Sequence, residues 1–239
     1  MTRAIRTWTL AAAVAAVPLA AQAQSGAKGL GDWSVVGAEI DTGKPFEDVR
    51  FGWPDVDFGY TFNVSRSMDM GIRFGLLYGV EGTTYTSFGI DLYTPLRFAL
   101  AETSDLKILF HVDPGLKLYT SGYGHSSTCY AGNQPYACTV TGGPAQFGFM
   151  FPVGIVAGGS VAPGLEVGAG LDLNMTLFVT SPVNFVVEPM VGPYLEYHVP
   201  SSGLAIGINT RFGVAIPTAA GYGSAFAFLF QGFVGYHLF

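Results

Sequence analysis

The feature that most constrains this chain is an alternation of apolar side chains, with period two, along most of its length. In residues 56–64, Val56, Phe58 and Tyr60 share one face, while Asp57 and Gly59 lie on the other. This period is typical of a β-strand with two unlike faces. It recurs at 68–80, 88–100, 106–118, 147–155, 165–177, 187–199 and 204–216, from about 225 to the C-terminus, and more weakly at 33–40. The sequence therefore predicts an all-β chain with about ten strands, eight being the alternative.

The ionisable side chains of these strands fall on one face, which also carries the glycines. A charge facing lipid at the bilayer midplane costs roughly 2–4 kcal/mol for Lys or Arg, so the uncharged face is suited to lipid. Glycine suits the crowded interior of a small barrel. The predicted interior polar set is Asp57, Asp69, Arg73, Glu81, Asp91, Arg97, Lys107, His111, Asp113, Lys117, Glu166, Asp172, Glu188, Glu196, His198 and Arg211.

Composition favours a membrane barrel over a soluble one. Hydrophobic residues make up 49% of the chain and charged residues only 12%, whereas a soluble domain usually carries about 25% charged residues. After Ala23 no apolar run approaches the length of a membrane-spanning helix. We therefore predict an antiparallel up-and-down transmembrane β-barrel over 32–239, preceded by a short extension at 24–31. The formal net charge of −6 argues against a nucleic-acid partner.

The N-terminus predicts a cleaved signal peptide over residues 1–23. Arg3 and Arg6 precede a short apolar stretch at 8–19, and Ala21-Gln22-Ala23 has the small-x-small pattern of a cleavage site. We expect export to the cell outer membrane, with outer-membrane lipid as a partner.

The connections between strands also alternate. Short turns are predicted at 65–67, 101–104, 158–164 and 200–203, and the other links at 41–55, 82–85, 121–144, 180–184 and 217–224. Outer-membrane barrels have short periplasmic turns and longer outside loops, and an even strand count places both termini in the periplasm. Aromatic girdles at the membrane interfaces are predicted from Tyr60, Tyr78, Tyr119, Tyr197 and Tyr236.

The C-terminal segment 230–239 ends in aromatic and apolar residues. It resembles the last strand of bacterial outer-membrane barrels, and the chain as a whole is similar to the small outer-membrane barrel superfamily. The resemblance implies that Tyr236, Leu238 and Phe239 form a signal for the barrel-assembly machinery. The apolar parity runs through Val234, Tyr236 and Leu238, which leaves Phe239 out of step and the register of the last strand open.

Candidate chemistry is sparse. Cys129 and Cys138 lie in the longest link, and in an exported chain they predict a disulfide worth roughly 2–3 kcal/mol. The i, i+2 pairs His111/Asp113 and Glu196/His198 could serve acid–base or metal chemistry, but the favoured interpretation is a paired interior network. The alternative of a hydrolase at His125 is weakened because link 121–144 contains no Asp or Glu. No metal or other cofactor is predicted.

These observations predict a non-enzymatic outer-membrane protein, either an envelope component or a narrow pore for small solutes. The acidic surplus in the predicted interior favours mild cation preference. The alternative is a binding or adhesion barrel that uses the disulfide-tied link 121–144. A membrane-embedded hydrolase is the third and least favoured hypothesis.

Overall fold

The structure, a computed structural model, describes most of the chain after residue 44. The described residues are 45–65, 67–79, 88–102, 106–120, 125–131, 134–140, 145–180, 183–199, 202–218 and 224–238, with the backbone alone described at 102, 125–131 and 134–140. The predicted signal peptide, the extension at 24–31 and the weak strand at 33–40 therefore lie outside the described part.

All the regular elements in this part are strands. They are β1 (Phe46–Trp53), β2 (Asp55–Ser65), β3 (Met68–Leu77), β4 (Gly89–Tyr93), β5 (Leu96–Glu102), β6 (Lys107–Val112), β7 (Gly115–Tyr119), β8 (His125–Ala131), β9 (Gln134–Val140), β10 (Gln146–Met150), β11 (Val153–Ala162), β12 (Leu165–Phe178), β13 (Asn184–His198), β14 (Leu204–Pro217) and β15 (Ala225–His237). No helix in the described ranges has the length and hydropathy needed to cross a membrane.

Within the described residues, ten antiparallel wall strands, which we call staves, form a closed barrel, which confirms the predicted all-β antiparallel barrel and the count of about ten. Three of the staves are each divided into two strands: β4 with β5, β6 with β7, and β10 with β11. The two strands of each pair belong to one stave, because they pair with the same neighbouring staves in an unbroken register. The first and last strands close the wall, with Phe46 facing His237 and Trp53 facing Phe230. That pairing also gives the register of the last strand, in which Tyr236 lies between Glu47 and Leu204.

The first described strand corrects one prediction. The predicted link 41–55 is wrong, because β1 occupies Phe46–Trp53. Asp48 and Arg50 point inward there, as the charged face of the other strands does, and Val49 and Phe51 are exposed on the outside. The exposed Glu47 breaks the apolar outer face of β1, so the alternation in this strand is incomplete.

The two faces of the wall have opposite chemistry. Large apolar side chains are exposed all around the outside, with Leu171 at 61% and Phe226 at 62% exposure. Ionisable side chains are buried inside, with Asp69 and Glu196 at 0%. The predicted orientation of the strands, with apolar side chains outward and charged residues and glycines inward, is therefore confirmed.

Prolines divide three adjacent staves at one level. At each proline the neighbouring stave donates one backbone hydrogen bond of 2.9 Å to the proline carbonyl. The donors are Gly71 to Pro95, Thr94 to Pro114, and Asp113 to Pro152. In an antiparallel hydrogen-bonded pair both residues normally donate, and proline has no N–H to return the bond. Each stave is therefore interrupted at its proline, although the alternation in the sequence runs straight through.

The two ends of the barrel differ in their connections. Residue 45, residue 238 and the β11–β12 turn lie at one end, which we call the terminal end. The link between β7 and β10 lies at the other end and carries a separate two-stranded sheet, β8–β9. We call this the hairpin end. The sequence predicts an irregular loop at 121–144, so this hairpin is an additional element.

Candidate functional site

The barrel interior contains a cavity of about 140 Å³. Side chains of both charges line it, contributed by staves around the whole wall. Its ionisable lining comprises Arg50, Arg73, Arg97, Lys117 and Arg211 with Asp55, Asp91, Asp113, Asp172, His111 and Tyr93. Because inward residues alternate with outward ones along every strand, neighbouring staves bring these groups to a common space.

Arg73 is the centre of one ionic cluster. Its guanidinium donates to Asp48 on β1 and Asp57 on β2, and Arg50 Nε adds a bond to Asp48 at 3.1 Å. Gly59 makes room for this cluster, since a Cβ there would lie 2.6 Å from Arg73 Cζ and 2.7 Å from Asp48 Oδ1. A guanidinium paired with two carboxylates satisfies the usual requirement that a charge inside a protein be paired.

His111 is the centre of a second cluster. Its Nδ1 lies 2.8 Å from Asp113 Oδ2 and its Nε2 lies 3.0 Å from Asp172 Oδ1. Arg211 Nε donates to the other oxygen of Asp172 at 2.6 Å, and Arg211 also donates to Asn209. Carboxylates only accept hydrogen bonds, so both ring nitrogens are satisfied when both carry hydrogen. Both ring nitrogens are thus engaged by carboxylates, an arrangement suited to holding the wall together.

Polar pairs continue toward the terminal end. Lys107 Nζ lies 3.5 Å from Glu166 Oε2, and the Tyr194 hydroxyl donates to Glu166 Oε1 at 2.7 Å. His198 Nε2 lies 2.7 Å from Glu196 Oε1. The two i, i+2 pairs predicted from the sequence are therefore both in contact, but they belong to separate groups.

The remaining predicted interior residues are also placed by the fold. Asp91 and Lys117 are buried and face each other on β4 and β7. Arg97 Nε lies 3.7 Å from Asp69 Oδ1, and Glu188 is buried on β13. Glu81 lies outside the described residues.

The predicted girdle tyrosines, C-terminal signal and cysteine pair have different outcomes. Tyr119 is wrong as a girdle residue, because it is buried inside the barrel, whereas Tyr60, Tyr78, Tyr197 and Tyr236 are exposed. Phe239 lies outside the described residues. The side chains of His125, Cys129 and Cys138 do too, and the backbone register of the hairpin sets Cys129 opposite Tyr136 and Cys138 opposite Ser127. The disulfide stays a prediction.

Asp48, Arg50 and Asp55 belong to the interior polar set but are not among the interior residues predicted from the sequence. All three lie in or next to β1, within the predicted link. The alternation of Phe46, Asp48 and Arg50 against Val49 and Phe51 is the signal that could have found them.

Within the described ranges, no three His, Cys, Asp or Glu side chains are grouped so that they could hold a metal ion. Comparison of this chain with family models, with curated proteins and with solved structures finds no match. The function must therefore be argued from the barrel itself.

Proposed function

We propose that this chain is a non-enzymatic outer-membrane protein whose lumen is a narrow path for small solutes. The observation that carries the proposal is the opposition of faces: large apolar side chains are exposed around the whole outside, and charges are buried within. A soluble protein rarely exposes a continuous apolar surface of this kind. A transmembrane barrel requires one, with its backbone hydrogen bonds closed around the wall.

The interior charge supports a mild preference for cations. Among the described inward-facing residues the acids outnumber the bases. The acids are Asp48, Asp55, Asp57, Asp69, Asp91, Asp113, Glu166, Asp172, Glu188 and Glu196, and the bases are Arg50, Arg73, Arg97, Lys107, Lys117 and Arg211. An acidic inner face favours cations in narrow pores, although around the cavity itself five Arg and Lys side chains face four Asp side chains. Most of these groups are paired, so the preference is expected to be small.

Two measurements test this proposal. The refolded mature protein should need detergent or lipid to remain monomeric, and a monomer in plain buffer would contradict the membrane assignment. In planar bilayers it should conduct small ions, with reversal potentials under a salt gradient that favour the cation. Failure to conduct would leave an envelope barrel without transport, and an anion preference would contradict the charge argument.

A second function is favoured by one feature of the fold, the separate β8–β9 sheet at the hairpin end. We propose that this hairpin is a recognition surface, because exposed loops on a rigid scaffold often carry binding. Deletion of 121–144 should leave the barrel folded and abolish binding to a target surface if the hairpin is that site.

The expected disulfide should give no free thiol in the unreduced protein, and two free thiols would rule it out.

A further inference from the structure

A layer of apolar side chains covers the inner wall at the hairpin end. Leu77, Tyr119 and Phe178 form one buried cluster, with Val186 packed against it. The rings of Tyr119 and Phe178 lie 6.2 Å apart between centroids. Leu77, Tyr119 and Phe178 are the last residues of β3, β7 and β12, which all end at the hairpin end. The layer therefore lies between the charged cavity and that opening.

Glycines on the intervening strands make this layer continuous. Gly89 on β4 is paired with Tyr119, and Gly148 on β10 is paired with Phe178. A Cβ on Gly89 would lie 2.9 Å from Tyr119 Cδ1, and one on Gly148 would lie 3.0 Å from Phe178 Cδ1. The two rings thus lie over bare backbone of the neighbouring strands. Large side chains and glycines alternate from β3 to β12, so the rings can meet across the strand between them.

The terminal end is different. Apolar residues such as Phe46 and Phe233 are buried there too, but they are interspersed with the ionic pairs formed by Lys107 with Glu166 and by His198 with Glu196. Water hydrates charged groups readily and leaves narrow apolar constrictions readily. The inner surface therefore carries charged groups from the terminal end to the cavity. At the hairpin end the buried polar side chains of Gln146 and Asn184 begin β10 and β13, and neither of them lines the cavity.

We propose that Leu77, Tyr119 and Phe178 form the gate of the lumen, closing the cavity toward the hairpin end by excluding water. The proposal rests on the function proposed above and names the residues that limit passage. Removal of the two rings should open the layer, because the glycines beside them provide no side chain to fill the space.

Conductance is the first test. The double variant Tyr119→Ala/Phe178→Ala should conduct several-fold more than the wild type in planar bilayers. Phe149→Ala is the matched control, because Phe149 lies on β10 beside Gly148 but is exposed on the outer face; its conductance should not change. If the alanine pair does not refold, the single variants Tyr119→Ala and Phe178→Ala each remove one ring and should each raise the conductance by a smaller factor. A wild type that conducts, with ring variants that conduct no more, would overturn the gate and leave the pore.

Thiol accessibility is the second test and needs no conductance. Thr176 lines the cavity two residues before Phe178, so Thr176→Cys reports on access when Cys129 and Cys138 are replaced by serine. In lipid vesicles whose outward-facing hairpin end is verified by protease cleavage of the link at 121–144, an impermeant charged thiol reagent added outside should label it several-fold faster in the double variant. Faster labelling without conductance in any variant would support the gate and overturn the pore. Unchanged labelling would overturn the gate.

Discussion

The buried Arg73 cluster gives the sharpest prediction about stability. The side-chain exposure of Arg73 is 1%, and the exposures of its partners Asp48 and Asp57 are 0% and 3%. Arg73→Met leaves Asp57 without its cation, while Asp48 keeps Arg50 at 3.1 Å. Removing one partner from a buried ion pair costs about 3–5 kcal/mol, because the remaining charge is uncompensated. The unfolding equilibrium constant should therefore rise by roughly two to four powers of ten.

The assay is reversible urea unfolding of the refolded protein in lipid vesicles, followed by tryptophan fluorescence. Arg50→Met is the matched control, since it removes a second cation from Asp48 but leaves Arg73 in place, and it should cost clearly less. Adding Asp57→Asn to Arg73→Met should restore part of the stability, because it removes the uncompensated charge. The reasoning is refuted if Arg73→Met costs no more than Arg50→Met, or if the added Asp57→Asn makes matters worse.

Three further predictions concern the wall. Leu171→Arg, on the outer face, should cost roughly 2–4 kcal/mol for folding in vesicles if the position lies at midplane; no cost would argue against contact with lipid. Pro152→Ala supplies an amide opposite the Asp113 carbonyl, and hydrogen exchange should find this new amide protected; exchange at the rate of an open loop would contradict the pairing. Gly158→Ala places a Cβ against the Tyr194 hydroxyl, and losing that hydroxyl's bond should lower the unfolding free energy by about 1–3 kcal/mol; a neutral effect would contradict this packing.

The alternation predicts the staves well because the two faces differ so strongly in charge and size. It fails where local chemistry interrupts that contrast. The charged Glu47 on the outer face interrupts the alternation in β1. The alternation of apolar side chains also does not predict that Pro95, Pro114 and Pro152 lie side by side on adjacent staves. The level of a residue depends on cross-strand register, which the alternation of one strand does not contain.

The same limit applies to the site. Parity predicts that Arg73 points inward, but it does not predict its partners. Arg73 binds Asp48, 25 residues away, and Asp55 accepts from Gln231, 176 residues away. Such pairs follow only from the register of a closed wall. The ring layer shows another limit. Tyr119 lies at a strand end, where girdle residues also occur, and only the parity that it shares with Lys117 predicts an inward side chain.

The seam between β1 and β15 has a consequence for biogenesis. Residues near opposite ends of the sequence form it, from Phe46 with His237 to Trp53 with Phe230. Until β15 pairs with it, β1 presents an unpaired edge, and such edges invite pairing with other chains. Folding chains of this protein must therefore be kept apart from one another until this seam closes. Truncation before Ala225 should yield aggregates and no smaller barrel.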